Sequence, residues 1–236
     1  MKNYIHEYKT ADGDTLFELV FQSEMCIAHV STAIMSEWLN YDRCLIHIKK
    51  ITPEWKTANG DTILQLACHS PEAISEISSI VLLKWVNDFG STFFLKTVKP
   101  HWRTADCFTL FEVICQSEKC LIQISSAVFL KWLRKTPLFF VATAIPDCKT
   151  ADGDTILQLV LRSEMSISKT SSWVLITLLS DSREITVNEI KTVNPNWKTL
   201  DGAPLLHALC LSNIEDKKVI ELMQYYIMEN GWPAMQ

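Results

Sequence analysis

One segment of this chain occurs five times, and that recurrence limits what it can fold into. YKTADGDTLFELVFQSE begins at Tyr8 and returns as WKTANGDTILQLACHSP from Trp55, as WRTADCFTLFEVICQSE from Trp102 and as CKTADGDTILQLVLRSE from Cys148. A degenerate fifth copy, WKTLDGAPLLHALCLSN, starts at Trp197. The leading threonines stand at 10, 57, 104, 150 and 199, so the steps are 47, 47, 46 and 49. The 236 residues therefore divide into five approximate units, 4–50, 51–97, 98–144, 145–192 and 193–236, within one repeat domain. A unit of this size cannot bury its apolar face alone, so its neighbours must cover it.

Each copy reads the same way. A proline at 53, 100, 146 or 195 disfavours helix just before the aromatic or cysteine that opens the segment. The pairs Asp12-Gly13, Asn59-Gly60, Asp152-Gly153 and Asp201-Gly202 mark a tight turn in which glycine takes positive φ. Thr15, Thr62, Thr109 and Thr155 are N-cap candidates for a first helix of about two turns. Ser23, Ser70, Ser117, Ser163 and Ser212 open a second, of about four turns; Pro71 follows Ser70 in the N1 place. Ile74, Ile77, Val81 and Trp85 give that helix one apolar face, repeated as Leu121, Ile124, Val128 and Trp132. The connectors predict a short third helix or an apolar strap. Thr136-Pro137 resembles a helix start, and Ile185, Ile190 and Val193 have helical spacing.

The run from Gly60 to Ala67, GDTILQLA, resembles the ankyrin signature G-x-T-P-L-H-x-A, with Gln65 in the histidine place. Gly202 to His207 keeps the histidine, and ISSIVLLKWV from Ile77 is similar to the family's second-helix pattern V-x-x-L-L. The copies depart from the family in length, since an ankyrin unit has about 33 residues, and their period is nearer that of HEAT or armadillo units. Leu16, Ile63, Leu110 and Ile156 replace its proline, and Cys107-Phe108 replaces Gly-Asp in the third copy. The resemblance implies an all-α solenoid of five stacked helix-turn-helix units, ankyrin-like, with an armadillo- or HEAT-like stack as the rival. Trp38, Trp85 and Trp132 share one column, expected in the core between units. Trp55, Trp102 and Trp197 form a second near the turn.

Composition narrows function. With 22 basic against 27 acidic residues, a net of −5, no basic field exists for nucleic acid. The start MKNYIHEYKT lacks the apolar core of a signal peptide, and the run from Leu138 to Ile145 falls short of the ~20 residues of a membrane span, so a cytoplasmic protein is expected. The eight cysteines have no CxxC pair and are expected to be mostly reduced and buried.

Chemistry is sparse. The six histidines form no HExxH and share no metal-ligand spacing with cysteines, and no GxSxG, P-loop or GxGxxG is present. The adjacent Cys68-His69 pair is the formal nucleophile candidate, but Cys68 shares a column with Cys115 and Cys210 that reads as core. Recurring aspartates in the turns read as caps, not as an acid–base pair. The basic column Lys9, Lys56, Arg103, Lys149 and Lys198 is expected to pair with those acidic turns, and the pairs Ser31-Thr32, Ser78-Ser79, Ser125-Ser126 and Ser171-Ser172 to bond back to the carbonyl four residues earlier. No catalytic residue, metal or cofactor is expected.

Two columns vary between copies while their neighbours do not. One is Gln22, His69, Gln116 and Arg162; the other is His29, Glu76, Gln123, Lys169 and Lys218. Variation at exposed columns is where a repeat protein sets partner specificity. The expected function is a non-catalytic scaffold binding a protein or peptide on the concave face, and the alternative is an architectural spacer or sensor segment of a larger protein. An apolar N-terminal edge would allow self-association, and the degenerate last copy, ending in Gly231-Trp232-Pro233, suits a closing unit.

Overall fold

A computed structural model describes residues 9–40, 51–89, 98–139, 147–182 and 186–212, with helical positions at 221, 224–226 and 228. Cys44, Pro146, Ile185, Lys218 and the Gly231–Pro233 ending lie outside the described residues. The fold is all-α: the described residues form helices joined by turns and isolated β-bridges. The first copy holds α1 (Leu16–Phe21), α2 (Glu24–Ile27) and α3 (Thr32–Leu39). The second holds α4 (Ile63–Ala67), α5 (Pro71–Glu76) and α6 (Ser79–Phe89). The third holds α7 (Leu110–Ile114), α8 (Glu118–Leu121) and α9 (Ser126–Lys135), and the fourth α10 (Ile156–Leu161), α11 (Glu164–Ile167) and α12 (Ser172–Asp181). Next come α13 (Val187–Lys191), in the connector, and α14 (Leu205–Leu211), in the fifth copy. The chain divides into two compact units, Met1–Leu110 and Phe111–Gln236, with the division falling in the sequence of the third copy.

The turn that opens each copy is built as its sequence dictates. In the first two copies the leading threonine amide donates to the carbonyl four residues on, Thr10 to Asp14 at 2.8 Å and Thr57 to Asp61 at 2.9 Å. Gly13, Gly60, Gly153 and Gly202 take φ between 82° and 91°. Cys107 occupies the same place at φ 69°, and the third turn still closes, with Thr104 N–H donating to Phe108 O at 2.8 Å. Thr15, Thr62 and Thr155 then cap α1, α4 and α10 in full capping boxes with Glu18, Gln65 and Gln158. Each such cap contributes about 1 kcal/mol by satisfying amides that the first helical turn leaves open.

The expected four-turn second helix does not form; it divides in two. Ser31, Ser125 and Ser171 are extended, with ψ near 150°, and their hydroxyls cap the amides three residues on. Ser78 likewise accepts from the Val81 amide at 3.4 Å. Helix propensity of the flanking apolar residues is weak against a side-chain cap, so the chain restarts at the serine. Each of the first four copies therefore has three helices, which corrects the helix-turn-helix unit. The restart also shifts the apolar phase. Ile74 and Ile77 are fully buried as expected, but beyond the break Leu82 and Val86 are buried deepest, while Val81 is half-buried.

The second member of each Ser/Thr pair bonds forward, not back to its own helix. The Thr32 amide donates to Asn59 Oδ1 at 2.9 Å and its hydroxyl to Asp61 at 2.6 Å. Ser79 gives both groups to Asp106, at 2.8 and 2.5 Å. Ser126 gives its amide to Asp152 and its hydroxyl to Asp154, each at 2.6 Å, and Ser172 gives both to Asp201. So the residue two after each leading threonine takes the helix amide of the preceding copy. The hydroxyl goes to the aspartate four after the threonine where one exists. A backbone bond stands beside each latch: Ala58, Ala105, Ala151 and Leu200 amides donate to Val30, Ile77, Ile124 and Thr170 carbonyls, all at 2.9 Å. Within the first unit α3 packs on α4; within the second, α9 packs on α11 and α12 on α14.

Trp38, Trp85 and Trp132 are buried, at 8%, 7% and 4% exposure. The ring partners of two lie in their own copy: Trp38 meets Phe17 edge-on at 4.5 Å and Trp132 meets Phe111 at 5.9 Å. Thr136-Pro137 does not start a helix. Thr136 caps the C-terminal end of α9, and Leu138 pairs in parallel with Thr170, Leu138 N–H donating to Lys169 O and Ser171 N–H to Leu138 O. The next connector forms α13, capped by Thr186 with Glu189, so the connectors realise both the strap and the short helix.

Candidate interaction surface

The first variable column lies at the C-terminal ends of the copies' first helices, where unpaired carbonyls accumulate. His69 Nδ1 donates to the Gln65 carbonyl at 2.7 Å, and Gln116 Nε2 to the Glu112 carbonyl at 3.2 Å. In the second column His29 Nδ1 donates to the Met25 carbonyl at 2.7 Å. Each bond returns to the carbonyl four residues back, so these three side chains finish their own helical turns. Gln22, Gln123 and His69 are exposed, and Gln116, Glu76 and Lys169 half-buried.

Arg162 differs, because it reaches across its copy to Asp154, Nη2 to Oδ1 at 2.9 Å. It lines an open cavity of about 330 Å³ with Gln158, Leu161, Asn188, Glu189, Thr192 and Val193. Gln158 Nε2 donates to Glu189 Oε1 at 2.8 Å across its floor. The Thr186 amide and then the Gln158 amide hold the Glu189 carboxyl below its ordinary value. A second open cavity, about 450 Å³, is lined by Glu118, Ile122, Asp147, Lys149, Thr150, Ala151 and Gly153 and contains none of the variable residues. The structure thus gives His29, His69 and Gln116 one shared local role, and of the eight residues Arg162 alone lines either of these two cavities.

The adjacent Cys68 and His69 are not arranged as a nucleophile and its base. Cys68 is fully buried, and His69 beside it is exposed with Nδ1 on a carbonyl. Burial pushes the Cys115 thiol well up, and Cys120 and Cys148 each to about 11, so these thiols stay protonated. Cys26, Cys107 and Cys210 are exposed, which corrects the expectation that Cys210 shares the core column with Cys68 and Cys115. Within the basic column, Arg103 Nη1 donates to the Cys107 carbonyl at 2.7 Å. Among the described residues no group of three or more His, Cys, Asp or Glu could hold a metal, and no helix is long and apolar enough to cross a membrane.

The carboxylates that matter most are those of the turns. At Asp106 desolvation pushes upward, but the Ser79 and Thr104 hydroxyls and the Ser79 amide outweigh it and hold the carboxyl below its ordinary value. Asp201 shows the same balance, desolvation against Ser172 and Thr199, and lies at about 2. Sequence reading found the aspartates and the serine pairs separately and gave each a local role. The signal that joins them is the recurring offset of 26 to 29 residues from the second member of each pair to an aspartate of the next turn. Leu16 and Leu19 form an exposed apolar pair on the first copy, each 39% exposed, a feature their apolar type alone does not signal. No protein-family model and no curated protein matches the chain.

Proposed function

We propose that the chain is a non-catalytic scaffold, an ankyrin-like stack of five helical units that binds a protein or peptide through the columns that vary between copies. The recurrent latch carries this reading: at each of four junctions one turn caps the preceding copy's long helix, using the polar groups that an active site would otherwise employ. What remains exposed and different between copies is Gln22, His69, Arg162, His29 and Gln123. Different side chains on a repeated frame are what a partner can read at low reorganisation cost. The three-helix units keep the armadillo-like form of the stack open, and a cytoplasmic setting belongs to the same proposal.

The test is selection from a displayed peptide library against the intact chain. Binders are expected to lose roughly tenfold or more in affinity to the double variant His69→Ala/Arg162→Ala, as removal of interface anchors does, with the far-UV spectrum unchanged. Equal affinity for both proteins would refute the proposed face. The exposure of Leu16 and Leu19, each 39%, favours a second reading, a repeat segment that serves as a spacer between further units.

A further inference from the structure

We infer that the outer edge of the first copy, formed by Ala11, Asp12, Asp14, Leu16 and Leu19, is a docking surface for one more repeat unit. That unit presents a long helix opened by a β-branched residue, a serine and then a serine or threonine. The inference rests on the stacked-repeat reading above.

The four later copies show what covers this edge. At the place of Leu16 stand Ile63, Leu110, Ile156 and Leu205, exposed by 1% or less; Leu16 is 39% exposed. At the place of Leu19 stand Leu66, Val113, Leu159 and Ala208, exposed by 8% or less, against 39% for Leu19. The polar half of the edge is equally open. In the later copies the turn amide donates to a Val, Ile, Ile or Thr carbonyl, and the turn's Asp or Asn receives the amide and hydroxyl of a Ser or Thr. Among the described residues nothing stands in those places for the Ala11 amide or the Asp12 and Asp14 carboxylates. Asp12 and Asp14 repeat the pairing of Asp152 and Asp154, which divide amide and hydroxyl between them.

The edge also selects against the chain itself. At 21 and 22 residues after the leading threonine, the first four copies carry Ser31-Thr32, Ser78-Ser79, Ser125-Ser126 and Ser171-Ser172. The fifth carries Ile220-Glu221, which would set a carboxylate against Asp12 and Asp14. Two first-copy edges facing each other would oppose four carboxylates. Like charges brought together out of water are costly, so the occupant is a donor-bearing unit and not a second copy of this chain.

Hydrogen exchange tests this in two chains, the intact protein and one in which a duplicate of residues 57–103 replaces residues 1–9. The expected result is an Ala11 amide that exchanges freely in the first and is slowed roughly a hundredfold or more in the second, to the level of Ala58 and Ala105. Asp12→Ala/Asp14→Ala should abolish that slowing and leave the stability of the intact protein unchanged. Loss of stability in the intact variant would overturn the proposal, because the carboxylates would already have a partner. Concentration-dependent dimerisation of the intact protein, removed by Leu16→Asp, would overturn it in favour of a second copy. Asp106→Ala separates the two ideas, since faster exchange at the Ser79 amide upholds the stack. Unchanged Ala11 exchange in the extended chain then overturns the docking surface alone. A Ser79 amide that stays protected in Asp106→Ala overturns the stack and the surface with it.

Discussion

Ser79, the first residue of α6, donates both its amide and its hydroxyl to the carboxylate of Asp106, 27 residues further on, at 2.8 and 2.5 Å. A helix normally finds its capping acceptor in its own sequence. Here Ser78 supplies that local cap, accepting from Val81, while Asp106 of the next copy takes the amide that Ser78 cannot reach. Two copies are thereby tied at a charge-assisted bond, stronger than a neutral one.

Cys107 holds φ 69° where the other four turns have glycine. A side chain in this backbone region costs about 1–2 kcal/mol, partly offset by the entropy that glycine loses on folding. Cys107→Gly is expected to raise the unfolding free energy by up to about 1 kcal/mol, read as a higher urea midpoint at constant slope.

Acid should loosen the latches in a defined window. Asp201 lies at about 2 in the folded chain, below its ordinary 3.8, and Asp106 is lowered in the same direction. A depressed carboxyl contributes stability that is complete above the unfolded value and fades as pH falls through the folded one. Stability is therefore expected to decline between about pH 4 and pH 2. Asp201→Asn, which keeps an amide acceptor as Asn59 does, should flatten that decline in thermal melts taken across the range.

Glu112 is 3% exposed, and its Oε1 accepts the Phe139 amide at 3.1 Å, holding the strap that follows α9. Gln65 and Gln158 stand in the same column. Glu112→Gln keeps an acceptor there and should change stability by less than about 0.5 kcal/mol, whereas Glu112→Ala should cost about 1–2 kcal/mol. Paired denaturation curves read the difference.

Thr136 Oγ1 is buried with no hydrogen-bond partner among the described residues. Replacing it with a methyl group removes a desolvation cost and keeps the β-branched shape, so Thr136→Val should stabilise by roughly 1 kcal/mol. A lower melting temperature would contradict that assignment.

The periodic elements were legible because their signals are local. Thr62 with Gln65, Ser70 with Pro71 and the glycine turns all report within four residues, and each appears where the sequence placed it. The break in the second helix was missed because Ile74, Ile77, Val81 and Trp85 keep helical spacing across it; an apolar face does not reveal a change of phase at a polar residue. Ser126 and Asp152 were both visible, but a bond between residues 26 apart is set by how copies meet, which neither local segment encodes. The described members of the variable columns are exposed or half-buried, yet His29 and His69 turn back on carbonyls four residues earlier, a use that recurrence alone does not distinguish from readiness for a partner.

A double-mutant cycle on Ser79→Ala and Asp106→Ala, followed by urea denaturation of the intact chain, measures the latch most directly. If the turn of one copy holds the helix of the copy before it, the two changes should couple by about 1–3 kcal/mol, as groups in one charged hydrogen bond do. Additive losses, with a coupling below about 0.3 kcal/mol, would show that the copies are joined by something other than this bond.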